Sequence, residues 1–205
     1  MPYELYSETL GDWPLVGYYS MAWLTVYPLL ARLMPDCPAK LKVQEEKQSS
    51  EEVASPEQVR NAHLISQQNI QEVMALLNAL FCTIVGAYVL LQSPYQWDVE
   101  SEKNEQWVVN FSLASFMADT IWGTYHGTLA ADKYAHHLGV LIGLGASTSM
   151  GMFSKECLAS LIFAEFSNVF LCSRFIMEGY EMKAGTFFKL NAGVFMISFF
   201  SCRLF

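Results

Sequence analysis

Eight side chains in the second half of this 205-residue sequence could do chemistry: Asp119, His126, His136, His137, Glu165, Asn168, Arg174 and Asn191. Each lies in or beside an apolar run, where an ionisable or amide group is costly and turns toward the protein interior. Asp119 and His126 are seven residues apart and so share one helix face. His136 and His137 follow Asp132 and Lys133. Neighbours on a helix diverge by about 100°, so this His pair can serve one metal ion only where a helix begins. Glu165 is followed by Ser167 and Asn168. Arg174, two and a half turns further on, points away from the Glu165 face and can snorkel from the helix end. Asn191 is a buried polar candidate on the last run.

Three kinds of chemistry fit this set. The first is a polar network that holds a bundle together, each member satisfying a neighbour because an unsatisfied polar group in lipid costs several kcal/mol. The second is a pocket for a lipid headgroup or an acyl thioester. The third is a metal or proton-transfer site, since imidazole and carboxylate are suitable zinc or iron ligands. The HxxxH ladder of a di-iron membrane hydroxylase is missing. No catalytic residue, metal ligand or cofactor is assigned.

The elements that must position these groups follow from composition. The chain is 53% hydrophobic and 16% charged, with a net charge of −8. Soluble domains are usually about 25% charged. Negative charge without a basic patch excludes a nucleic-acid partner. The expectation is an all-α polytopic membrane bundle. Six apolar segments approach the ~20 residues of a span: 13–34, about 70–92, 107–130, about 135–153, 157–177 and 185–205. Pro28 predicts a kink late in the first. Residues 35–69 form the one long polar connection, and the Ser55-Pro56 step inside it reads as the start of a short surface helix leading into the second span.

With that connection placed inside, nine basic residues (Arg32, Lys40, Lys42, Lys47, Arg60, Lys133, Arg174, Lys183, Lys189) fall on the inner side against three outside (Lys103, Lys155, Arg203). Positive charge marks the inner face, so both termini are expected outside. Glu4, Glu8 and Asp12 with no early basic residue fit neither a secretory signal nor a transit peptide. Ser115, Asp119, Gly123 and Gly127 on the third span, and Gly139, Gly143, Ser147 and Gly151 on the fourth, recur every four residues. They are expected to bring these helices together, or against the fifth, by close backbone approach. The five cysteines follow no zinc or disulfide spacing, and the four in or beside spans read as packing residues.

At the polar residues the sequence resembles the TLC-domain family, the membrane domain of ceramide synthases, translocation-associated membrane proteins and the smaller TLC-domain-containing proteins. The likeness is carried by Asp119 in Met-Ala-Asp, by Asp132-Lys133-Tyr134-Ala135-His136-His137-Leu138, and by Glu165-Phe166-Ser167-Asn168-Val169-Phe170. Arg174, Asn191 and Arg203 continue it. Order and spacing match over roughly residues 70–205, preceded by an N-terminal segment with the first span (1–34) and the polar loop (35–69).

The resemblance implies a helical bundle around a cavity open toward lipid. It implies a role in lipid synthesis, sensing or transport, usually in the endoplasmic reticulum. No histidine follows His137, which argues against N-acylation of a sphingoid base and for likeness to the small non-synthase members. Asn78 stands where many members have a histidine. The chain stops at Phe205, where the family usually continues with another helix, so a partner subunit or another lipid would close that side. The leading expectation is a membrane protein that binds or handles a phospholipid or acyl chain, without catalysis. The alternative is an accessory subunit of a large membrane assembly, such as one in the mitochondrial inner membrane. An acyltransferase is the remote third.

Overall fold

A computed structural model describes residues 12–34, 38, 41–42, 55–92 and 103–203. Glu4, Glu8 and most of the 35–55 connection, Cys37 included, lie outside the described residues. The fold is all-α. Among the described residues the long helices are α1 (Asp12–Leu33), α2 (Pro56–Gln92), α3 (Lys103–His126), α4 (Ala131–Met150), α5 (Ser154–Gly179) and α6 (Thr186–Arg203). Among the described residues there is no strand.

Each apolar run of the sequence becomes a helix, but α2 begins well before its run. The Ser55 hydroxyl accepts from Gln58 N (3.2 Å) and the Gln58 side chain accepts from Ser55 N (2.8 Å). This capping box, with Pro56 in the first turn, starts one helix that runs on to Gln92. The expected short surface helix is therefore the first third of α2. Its polar composition hid its packing, since Ala62, Gln67 and Asn69 are buried. Between Cys82 and Gly86 the helix widens into a π-helical turn. There Gly86 lies so close to Leu158 and Ile162 of α5 that a Cβ would fall 2.9 Å from Leu158 Cδ1. α1 runs on through Pro28 to end one turn later, at Leu33.

Length and composition qualify two helices, α2 and α5, to cross a membrane, and α6 is a shorter apolar helix. α3, with 24 residues, is about 36 Å long, enough for the ~30 Å of a hydrocarbon core. It buries Glu105, Gln106, Asn110 and Asp119, so its hydropathy is low. It is the central helix, packed against α1, α2, α4 and α5. Val16 of α1, Val108, Val109 and Leu113 of α3, Leu144 of α4, and Leu158 and Leu161 of α5 form the main apolar core. Tyr27, Ile70, Met74 and Ala118 form a second. α6 leans on α5, and α4 and α6 are not packed against each other.

The glycine stripes do not meet as expected. Gly139 and Gly143 face open space, while α4 packs through His137, Leu144, Gly145, Ser147 and Thr148. A four-residue step advances 400°, so the stripe drifts about 40° per step and cannot hold one face over three steps. Gly127 and Gly151 take left-handed φ values of 67° and 63° and end α3 and α4; they are helix stops. Gly123 does mark a close approach, but toward Gln71 of α2 and Leu129.

Candidate functional site

α2, α3, α4, α5 and α6 together enclose a cavity of about 250 Å³. α2 contributes Glu72, Ala75 and Asn78, three residues apart and so on one face. α3 contributes Ser115, Phe116 and Asp119; the start of α4 contributes Asp132, Lys133, His136 and His137. α5 contributes Glu165, Asn168, Leu171, Cys172 and Phe175, and α6 contributes Phe199. The exposed members Asp132, His136 and Phe175 mark the mouth.

Asp119 is the most connected group. Tyr27 of α1 donates its hydroxyl to Asp119 Oδ1 at 2.8 Å, and His137 Nε2 lies 3.5 Å from Oδ2. The other ring nitrogen of His137 is 2.9 Å from Thr120 Oγ1. That hydroxyl also lies 2.7 Å from the Phe116 carbonyl. A hydroxyl has one proton. If Thr120 gives it to the carbonyl, His137 Nδ1 must donate to Thr120, and Nε2 is left to share a proton with Asp119. Both ring nitrogens are then engaged by the protein. His136, one residue earlier, is turned to the mouth, as adjacent residues on a helix must diverge.

Lys133 reaches back across the cavity entrance to Glu72 Oε1 at 2.6 Å. Tyr134 hydrogen-bonds Thr124 and fastens the start of α4 to α3. Asn168 Nδ2 donates to Glu165 Oε2 at 3.2 Å. Asn78 and Ser115 are 4% and 7% exposed and lie on the cavity. Beyond a 3.7 Å approach of the Cys82 thiol to Asn78 Oδ1, neither has a polar partner among the described residues.

The structure thus gathers Asp119, His136, His137, Glu165 and Asn168 around one space. Three residues singled out with them lie elsewhere. His126 shares the Asp119 face but sits two turns nearer the helix end, beside Trp122 and 6.1 Å from the His63 ring. Arg174 is not among the residues lining the cavity: it pairs with Glu178 at 3.1 Å and lies over the Phe188 ring. Asn191 is buried and donates to the Phe170 carbonyl at 2.8 Å, pinning α6 to α5. Nothing in local spacing marks Tyr27 or Glu72, and Ser115 stands out in the sequence only as a member of the small-residue stripe of the third span. Asn78 stands out in the sequence only where the family pattern has a histidine, and Asp132 and Lys133 only by their place before the histidine pair and, for Lys133, by its charge. Among the described residues no three of His, Cys, Asp and Glu are disposed to hold a metal ion.

The TLC domain model matches residues 70–205, the stretch that supplies every residue lining the cavity. No curated protein and no solved structure matches the chain. An all-helical bundle with membrane-length apolar helices, together with that match over more than half its length, identifies the chain as a membrane protein that belongs to the TLC-domain family.

Proposed function

We propose that the chain binds lipid in this cavity, holding a polar headgroup or acyl-carbonyl end among Asp119, His136, His137, Glu165 and Asn168. The observation that carries the reading is the lining itself. It combines these polar groups with an apolar wall of Phe116, Leu171, Phe175 and Phe199. The exposed lining members Asp132, His136 and Phe175 leave the cavity open at its mouth. An amphipathic molecule already in the bilayer has both kinds of surface to offer it. Pockets that bind small ligands have the same build, a mostly apolar wall with a few placed polar groups.

The test is native mass spectrometry of the purified chain in neutral detergent, compared with Ala75→Phe, which fills the cavity. The wild type is expected to carry about one lipid per chain, and the filled variant at least tenfold less with its melting temperature kept. Equal retention by both, or none by the wild type after lipid is added back, would overturn the reading.

A further inference from the structure

The charge of the cavity lining is lopsided. Four carboxylates line it, those of Glu72, Asp119, Asp132 and Glu165, against one lysine and no arginine. The lysine is already held, its ammonium lying 2.6 Å from Glu72 Oε1. Even with His136 and His137 counted beside Lys133, the lining holds four acidic groups against three basic ones. Charges interact far more strongly away from water than in it. An anionic headgroup placed here meets like charge; an ammonium meets opposite charge.

A second feature points to an occupant. Asn78 and Ser115 are both more than nine-tenths buried and line the cavity; the Cys82 thiol meets Asn78 Oδ1 at 3.7 Å, but the Asn78 amide nitrogen and the Ser115 hydroxyl have no hydrogen-bond partner among the described residues. Leaving such a group unmet costs about 1–3 kcal/mol. The occupant therefore brings hydrogen-bonding atoms as well as charge. Size limits it further. A cavity of about 250 Å³ has room for a small headgroup.

Building on the lipid-binding reading above, we propose that the cavity selects its lipid by a protonated amine on the headgroup. The ammonium is drawn to Asp119 and Glu165, and the polar remainder of the headgroup meets Asn78 and Ser115. The recognised chemistry is an alkylammonium, which a zwitterionic aminophospholipid or a single-chain amine can carry.

The experiment offers the full-length chain, in neutral detergent, equimolar phosphatidylethanolamine and phosphatidylglycerol with matched oleoyl chains, and reads the retained lipid by native mass spectrometry. The wild type is expected to keep the ethanolamine lipid at least tenfold over the glycerol lipid. Glu165→Gln is expected to lower that ratio at least threefold. Equal retention, or preference for the anionic lipid, by the wild type overturns the proposal without recourse to any variant. Should the wild type keep no more of either lipid than Ala75→Phe does, the lipid-binding reading fails instead. Dodecylamine added as competitor separates the two sources. Displacement shows that the ammonium suffices; retention of the ethanolamine lipid against it assigns recognition to the whole phospholipid headgroup.

Discussion

Two buried polar clusters lie toward opposite ends of α3, and they differ in what their side chains have left to offer. At the start of α3, Thr148 of α4 donates to Asn110 Oδ1 at 2.7 Å, and Gln106 Nε2 reaches the same oxygen at 3.4 Å. Ser154 of α5 donates to Gln106 Oε1 at 2.7 Å, and Lys155 lies 3.6 Å from Glu105. Ser147 closes on the Met152 carbonyl. This cluster ties the α4–α5 connection to α3. Its amides and hydroxyls are spent on one another, while Glu105 Oε1 has the Lys155 ammonium nearby but no hydrogen bond among the described residues. Toward the other end, Asp119, Glu165 and the two histidines surround a space, and the Asn78 amide nitrogen and the Ser115 hydroxyl lie on it without a hydrogen-bond partner among the described residues. Both are polar and, His136 apart, buried. What separates a scaffold from a site is unspent hydrogen-bonding capacity facing a volume that something can fill.

The sharpest way to break this comparison is at Asn110. Asn110→Ala orphans the Thr148 hydroxyl and the Gln106 amide together. It is expected to cost about 2–3 kcal/mol, at the upper end for interhelical bonds in membranes, because both donors are buried. The checks are detergent melting and the amount of protein that accumulates. Next comes the cavity's own ion pair. Lys133→Met strands the Glu72 carboxylate, whose side chain is 11% exposed while that of the lysine is 34% exposed. A fully buried pair broken on one side loses 3–5 kcal/mol; with the lysine partly solvated, about 1–2 kcal/mol is expected. Lys133→Arg restores the charge and should recover much of this. A loss at Lys133 exceeding that at Asn110 would mean that the cavity end is the principal scaffold.

How much of this was legible in the sequence depends on the range of the contacts. Apolar length and capping are local, so the helices could be read directly. Only the start of α2 was hidden, because its first third buries amides and small residues instead of a hydrophobic stripe. Asp119, His136, His137, Glu165 and Asn168 stood out because charge, imidazole and amide are conspicuous within apolar runs. Their convergence, by contrast, is tertiary. Tyr27 is 92 residues from Asp119, and Glu72 is 61 from Lys133; no periodicity encodes such pairs. His126 shows the opposite error, since a shared face over seven residues does not mean a shared environment once the helix emerges from the bundle. The closed cluster went unnoticed because Gln106, Asn110 and Thr148 are neutral and sit near the ends of apolar runs, where polar residues are ordinary.

The smallest effect is expected at Asn78, and it sharpens the comparison most. Asn110 and Asn78 are the same residue type, both buried in helices that pack against one another, with exposures of 1% and 4%. Asn78→Ala removes a carboxamide whose one polar contact is the 3.7 Å approach of the Cys82 thiol. That thiol keeps Ser112 Oγ at 2.8 Å. Alanine also has the better helix propensity, by roughly half a kcal/mol. The net change in the lipid-free protein is expected to be under about 0.5 kcal/mol in either direction. With lipid added, a ligand that binds only the folded chain stabilises it in proportion to its affinity. The variant should therefore gain less from lipid than the wild type does, and the two melting curves should separate only on addition. If Asn78→Ala instead costs as much as Asn110→Ala without lipid, the carboxamide is spent inside the protein, and the two ends of α3 do the same structural work.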